Sequence, residues 1–370
     1  MSRPKAILTT EWGPAIAGGV IGVLTALLPY FGNPGNMGVC VACFSGDIAA
    51  AIGLQPDTTV PYIRPEIIGF VLGSCVAALL FHEFRARTGS APIVRFFLGM
   101  LATIGALVFI GCPWRAYLRL AGGDWNAIPG IAGLVIGIGL GTLFIKGGFG
   151  LGRSHAAPRA AGWVIPVLML ALLGLALVLP KAPSRTAETI MLNDPSAGCD
   201  TGLGAQHAPL AISLAFGLII GFLSQRTSFC TMSAWRNLFL TRNTRLLKGV
   251  LALVLTALFT NLALGRFHAG WRWQPVAHTD TLANLLSMVL AGLALTLAGG
   301  CPGRQLFLAG EGDADAGMFV LGMFVGAALA HNLNLVSSVS GPQPYAMQAV
   351  SIGLVCCLVI GLSMREPLSD

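Results

Sequence analysis

A chain of 370 residues that is 55% hydrophobic and only 10% charged, with 48 glycines, cannot dress a soluble globular surface, where about a quarter of residues are charged. Its apolar runs approach the roughly 20 residues that cross a hydrocarbon core of about 30 Å, and backbone groups in lipid must be paired internally, which selects helices. The net charge of +7 comes from basic residues scattered over short loops, so membrane topology accounts for it and no nucleic-acid partner is expected.

Arg3 and Lys5 precede an apolar run that ends at Leu27-Leu28-Pro29-Tyr30. With no small-residue cleavage site behind it, the run reads as an uncleaved first helix and not a signal peptide. The apolar pattern predicts spans at roughly 13–30, 65–82, 95–111, 127–145, 162–179, 210–225, 247–264, 282–299, 316–331 and 345–363, five in each half. Between the halves, residues 180–208 are polar, with Pro180, Pro183, Glu188, Asp194, Pro195 and Asp200, and read as an extramembrane linker that also holds Cys199. The expected organisation is a first membrane repeat over 1–179, the linker over 180–208 and a second repeat over 209–370.

The repeat is visible in the polar residues. Gly111-Cys112-Pro113-Trp114-Arg115 recurs 189 residues later as Gly300-Cys301-Pro302-Gly303-Arg304, and without a gap Gly123-Asp124 matches Gly312-Asp313, Ala127 matches Ala316, Gly133 matches Gly322 and Gly137 matches Gly326. Five spans per half invert the second copy relative to the first, the plan of many transporters. The fold class is therefore an all-α polytopic membrane protein of two inverted repeats. With the N-terminus inside, fifteen of the 22 Lys and Arg fall on the cytoplasmic side, in keeping with the positive-inside rule.

Pro after Cys breaks a preceding helix and suits the first position of a new one, so Cys112 and Cys301 each start a short segment. About ten residues separate Arg115 from Asp124 and Arg304 from Asp313, too few to cross the bilayer and enough for a re-entrant half-helix. Half-helix N-termini attract anions, and here the amides stand beside a thiol and a guanidinium, Arg115 or Arg304. Asp124 and Asp313 precede the next helices as structural N-caps. Glu311 has Gly122 as its mate in the first copy and reads as a solvated loop carboxylate or a gate.

Two further breaks carry cysteine, Asn36-Met37-Gly38-Val39-Cys40-Val41-Ala42-Cys43 and Gln225-Arg226-Thr227-Ser228-Phe229-Cys230-Thr231-Met232-Ser233, with Arg226 a third basic residue that could draw an anion. Aligning Cys40 with Cys230 sets Cys43 against Ser233. A neutral thiol is a weak donor with a soft sulfur, suited to a species ending in sulfur or selenium. A Cys-x-x-Cys pair is also the mark of a thiol redox centre, so a membrane thiol-disulfide oxidoreductase using Cys40 and Cys43 stays open. The six His residues are not at ligand spacing with these thiols, so neither a metal nor another cofactor is expected. Gly133, Gly137 and Gly141, and Gly322, Gly326 and Ala330, recur at every fourth position, which lets helix backbones touch. Trp114, Trp125, Trp163, Trp271 and Trp273 read as interface anchors.

These motifs, with Arg64-Pro65-Glu66-Ile67-Ile68-Gly69, Leu118-Arg119-Leu120-Ala121-Gly122-Gly123-Asp124, Ala277-His278-Thr279-Asp280 and Gly310-Glu311-Gly312, resemble the YeeE/YedE family of bacterial inner-membrane proteins, above all its YedE branch, proposed to move selenium compounds. The resemblance implies an hourglass-shaped carrier that passes a thiosulfate-like ion between cysteines. By position those roles fall on Cys40, Cys112 and Cys301, with Cys230 as the quasi-symmetric fourth. It also implies a cytosolic TusA-like sulfur-carrier protein as recipient, for which Arg236, Arg242, Arg245 and Lys248 offer a docking face.

Overall fold

The computed structural model describes residue 8 and residues 10–55, 61–178 and 206–365. Arg3, Lys5, Cys199 and the expected linker up to residue 205 lie outside the described residues.

Fourteen helices follow one another among the described residues: α1 (Gly13–Tyr30), α2 (Val41–Ala51), α3 (Pro65–Leu80), α4 (Pro92–Val108), α5 (Pro113–Ala121), α6 (Ala127–Lys146), α7 (Arg159–Val178), α8 (Leu210–Thr227), α9 (Thr231–Thr241), α10 (Arg245–Ala263), α11 (Thr281–Ala298), α12 (Pro302–Gly310), α13 (Ala314–Asn332) and α14 (Ala346–Ser363). Pro65, Pro92, Pro113 and Pro302 open their helices, where the missing amide N–H would have had no partner. A helix stands at each of the ten places where a span was expected. Among the described residues nine helical stretches are long and apolar enough to cross a membrane, whereas Pro65–Leu80, at 16 residues, falls short of that length. The protein is an all-α polytopic membrane protein.

Four helices are shorter still. α5 and α12 have nine residues each, and α2 and α9 have 11. They sit at matching places, so the order of α1–α7 repeats in α8–α14.

The two copies interleave. The most extensive helix contacts pair α1 with α10 and α3 with α8, then α4 with α13 and α6 with α11. Exchanging the copies turns each pairing into its mate. The close approaches explain the glycine stripes. A Cβ on Gly133 or Gly137 would collide with the carbonyl oxygen of Leu285 or Val289, and one on Gly322 would collide with that of Phe96, while Gly326 faces Met100 backbone. Small residues thus set the helix spacing where lipid supplies no hydrophobic drive between helices.

Candidate functional site: two cysteine pairs at half-helix N-termini

The site follows from how the half-helices begin. Cys40 has an extended backbone (φ −134°, ψ 101°) and caps α2, its Sγ accepting the Cys43 N–H at 3.3 Å. Cys230 (φ −158°, ψ 120°) caps α9 in the same way, accepting the Ser233 N–H at 3.4 Å. Cys112 and Cys301 precede proline, which holds them extended at ψ 170° and 164°. The Cys301 Sγ accepts the Arg304 N–H at 3.4 Å.

The four termini meet two by two. Cys112 N–H donates to Cys40 Sγ at 3.4 Å, and Cys301 N–H donates to Cys230 Sγ at 3.3 Å. Each pair sets two helix N-termini, with their partial positive charge, around buried sulfur. All four are free thiols. Cys43 joins the first pair, its Sγ 2.7 Å from Cys40 Sγ, while Ser233 stands there in the second.

The basic residues take three different roles. Arg115 is fully buried beside the first pair, donating to the carbonyls of Asn36 at 3.2 Å, Val276 at 2.9 Å and Ile110, with Nη1 3.8 Å from Cys43 Sγ. Among the described residues it has no carboxylate within ion-pair distance. Arg304 lines a recess that reaches Cys230, together with Ser233, Arg236 and Arg245. It also pairs with Glu311 at 3.3 Å. Arg226 points elsewhere: it pairs with Glu83 at 2.7 Å and lies over the Phe81 ring. A second recess, lined by Asn36, Gly38, Leu118, Arg266 and His268, opens near the first pair.

Asp313 caps α13 through the Ala316 N–H at 3.0 Å and also accepts Arg87 Nε at 2.7 Å. Asp124 differs. The N-cap of α6 is Asn126, and Asp124 accepts the Asn126 N–H at 2.9 Å and Arg119 Nε at 2.6 Å, forming an ion pair with no solvent exposure on either side chain. The chain between α5 and α6 is longer than that between α12 and α13, which moves the carboxylate inward. Glu311 is not a solvated carboxylate: it lies between Arg304 and Arg87, and burial pushes its carboxyl up from the ordinary value against the pull of both guanidiniums.

Trp114 overturns its expected place as an interface anchor. It is fully buried among Phe70, Phe229 and Phe307, because it sits in the first turn of a short helix packed inside the helix bundle. Trp125, Trp163, Trp271 and Trp273 are exposed. A buried polar network also lies outside the expected site. Arg64 Nε donates to Asp47 at 2.5 Å with its guanidinium over Phe44, and Glu66 accepts from Asn33 and Ser213, each at 2.9 Å. The signal was Arg64-Pro65-Glu66, two charges at the mouth of an apolar run. Among the described residues no three His, Cys, Asp or Glu side chains gather as a metal site would need.

Fold and site together define a multi-pass membrane protein with four free thiols buried at half-helix N-termini. A family model described as Sulphur transport matches residues 226–363, the stretch that holds Cys230, Cys301 and Arg304. Over that stretch the chain is similar to the YeeE/YedE family of sulfur-transport proteins. A search of curated proteins returned no match.

Proposed function

We propose that the protein carries a small anion of reduced sulfur or selenium, thiosulfate-like or a selenium compound of the kind the YedE branch is proposed to move, across the bacterial inner membrane along Cys40, Cys112, Cys301 and Cys230. The observation that carries this reading is the doubled contact of Cys112 N–H on Cys40 Sγ and Cys301 N–H on Cys230 Sγ. An anion arriving at either pair meets helix-terminal amides for its charge and thiols for its soft end, with no covalent step.

Arg115 and Arg304 supply the attraction. The first is a buried cation with no carboxylate partner among the described residues, and the second stands in an open recess. Arg226, tied to Glu83, has a weaker claim. The repeats over 1–179 and 209–370 are inverted in this reading, and the recess with Arg236, Arg245 and Arg304 faces the cytoplasm, where basic residues concentrate. A TusA-like carrier would collect the cargo there.

Uptake of labelled thiosulfate into proteoliposomes, with sulfate and selenium compounds as competitors, tests the reading. Cys112→Ala and Cys301→Ala are expected to abolish uptake while the protein still purifies as a folded species. Full uptake with both replaced would refute the relay.

One observation favours a second reading: the 2.7 Å approach of Cys40 and Cys43 suits a thiol-disulfide oxidoreductase. That reading predicts a change in alkylated mass on reduction, lost in Cys43→Ser, and activity that survives Cys112→Ala.

A further inference from the structure

Trp114 follows Cys112-Pro113 on α5 and is among the largest fully buried side chains. The matching residue of the second copy is Gly303, and the indole occupies the space this glycine leaves. Its Cε2, Cζ2 and Nε1 atoms lie 3.3, 3.4 and 3.5 Å from the point where a Cβ on Gly303 would stand. The ring meets Phe229 edge-on at 5.5 Å between centroids, with Phe70 at 5.7 Å and Phe307 at 6.1 Å. Phe229 adjoins Cys230, and Gly303 lies two residues beyond Cys301. A side chain rooted beside the first cysteine pair therefore stands against the second.

The polar edge of this indole is unused. Among the described residues Nε1 has no hydrogen-bond partner, although it is buried. Leaving such a donor unpaired costs about 1–3 kcal/mol, and phenylalanine would fill much of the same space without that penalty. Packing alone does not call for tryptophan here. The edge faces the first turn of α12, where the Gly303 amide is one of those with no acceptor inside its own helix. The unpartnered indole N–H thus lies beside the first turn of α12, among rings that favour a polarizable sulfur over a strongly hydrated oxyanion.

Resting on the transport reading above, we infer that Trp114 is the specificity-determining residue of the crossing between the two cysteine pairs. Its Nε1–H donates to the anion in transit, and its ring bars larger or more hydrated ions. Only the first copy carries it, so the crossing is lopsided although the thiols are nearly symmetric.

The experiment compares wild type, Trp114→Phe, Trp114→Ala and Cys301→Ala in proteoliposomes supplied with labelled thiosulfate or labelled sulfate. Trp114→Phe is expected to lower thiosulfate uptake about ten- to a hundredfold, the worth of one hydrogen bond to a charged group. Trp114→Ala is expected to narrow the preference for thiosulfate over sulfate. In detergent, thiosulfate should raise the unfolding midpoint of wild type and leave that of Trp114→Phe unmoved. Should the phenylalanine variant not fold, benzothienylalanine at residue 114 keeps the shape, replaces the N–H by sulfur, and should show the same loss. Wild-type uptake and discrimination in the variants lacking the N–H, with Cys301→Ala inactive, would overturn the role of Trp114 and leave the transport reading standing. No uptake by wild type of either ion would overturn both.

Discussion

Arg115 reaches Cys43 with Nη1 3.8 Å from Sγ, and every other hydrogen bond of its guanidinium goes to a backbone carbonyl, of Asn36, Ile110 or Val276. A single side chain thus ties the approach to α2, the turn before α5 and the loop before α11, while its positive charge stays beside the first cysteine pair. Lysine has the charge without the planar fork. Arg115→Lys is expected to lose at least two of the three carbonyl bonds, lowering stability by about 2–4 kcal/mol. Thiosulfate uptake should fall in parallel, and Arg115→Ala should fail in both respects. An unfolding midpoint of Arg115→Lys equal to that of wild type would show that the fork is not what joins these segments.

Two aspartates at matching places should respond unequally. Asp124 and Arg119 form an ion pair with neither side chain exposed, so Asp124→Ala strands a buried guanidinium and should cost about 3–5 kcal/mol. Arg119 already has Nη2 without a partner among the described residues, which leaves it little to fall back on. Asp313 caps α13 and pairs with a partly exposed Arg87, so Asp313→Ala should cost about 1–2 kcal/mol. Thermal unfolding of the two variants in the same detergent decides between this ranking and equal roles.

The difference between these aspartates marks what the sequence could and could not disclose. The apolar helices and the cysteine-bearing breaks were legible because they depend on local rules: apolar length, the extended backbone that Pro113 imposes on Cys112, and the spacing of Cys40 to Cys43. Gly133 and Gly137 announced close packing by their period, but not that their partner is α11 of the other copy, because interleaving is a long-range outcome. Trp114 and Arg226 were misleading for one reason. Their sequence neighbours are those of residues at span ends, and only the tertiary arrangement shows Trp114 at a half-helix terminus in the interior and Arg226 against Glu83.

Helix α6 carries its own control for the packing argument. At Gly137 a Cβ would fall 2.2 Å from the Val289 carbonyl oxygen, whereas at Gly139 nothing lies within 4 Å. Gly137→Ala must push α6 from α11, and is expected to reduce the yield of folded protein and lower its unfolding midpoint. Gly139→Ala should be neutral or slightly stabilising, since alanine is the better helix former by about 1 kcal/mol. Equal behaviour of the two variants in size-exclusion profile and midpoint would remove the glycine stripe as the determinant of this contact.

On the transport reading, Glu311 sets how much of the Arg304 charge an incoming anion meets. Its carboxyl, pushed up by burial, faces Arg304 at 3.3 Å and Arg87 at 3.9 Å, with Glu83 and Asp313 as the other acidic groups that act on it. Ionised, it neutralises part of the recess; protonated, it releases the guanidinium. Anion affinity should therefore rise as pH falls from above through the raised value, which lies above the ordinary 4.5. Glu311→Gln imitates the protonated form, so it should bind thiosulfate several-fold more tightly at neutral pH, the size of one nearby screened charge, and lose that pH dependence. Added salt should narrow the gap between the two proteins, because the recess is open to solvent. Titration of thiosulfate into both purified proteins at several pH values measures the effect, and an unchanged affinity in Glu311→Gln would mean that Arg304 meets the anion regardless of its carboxylate.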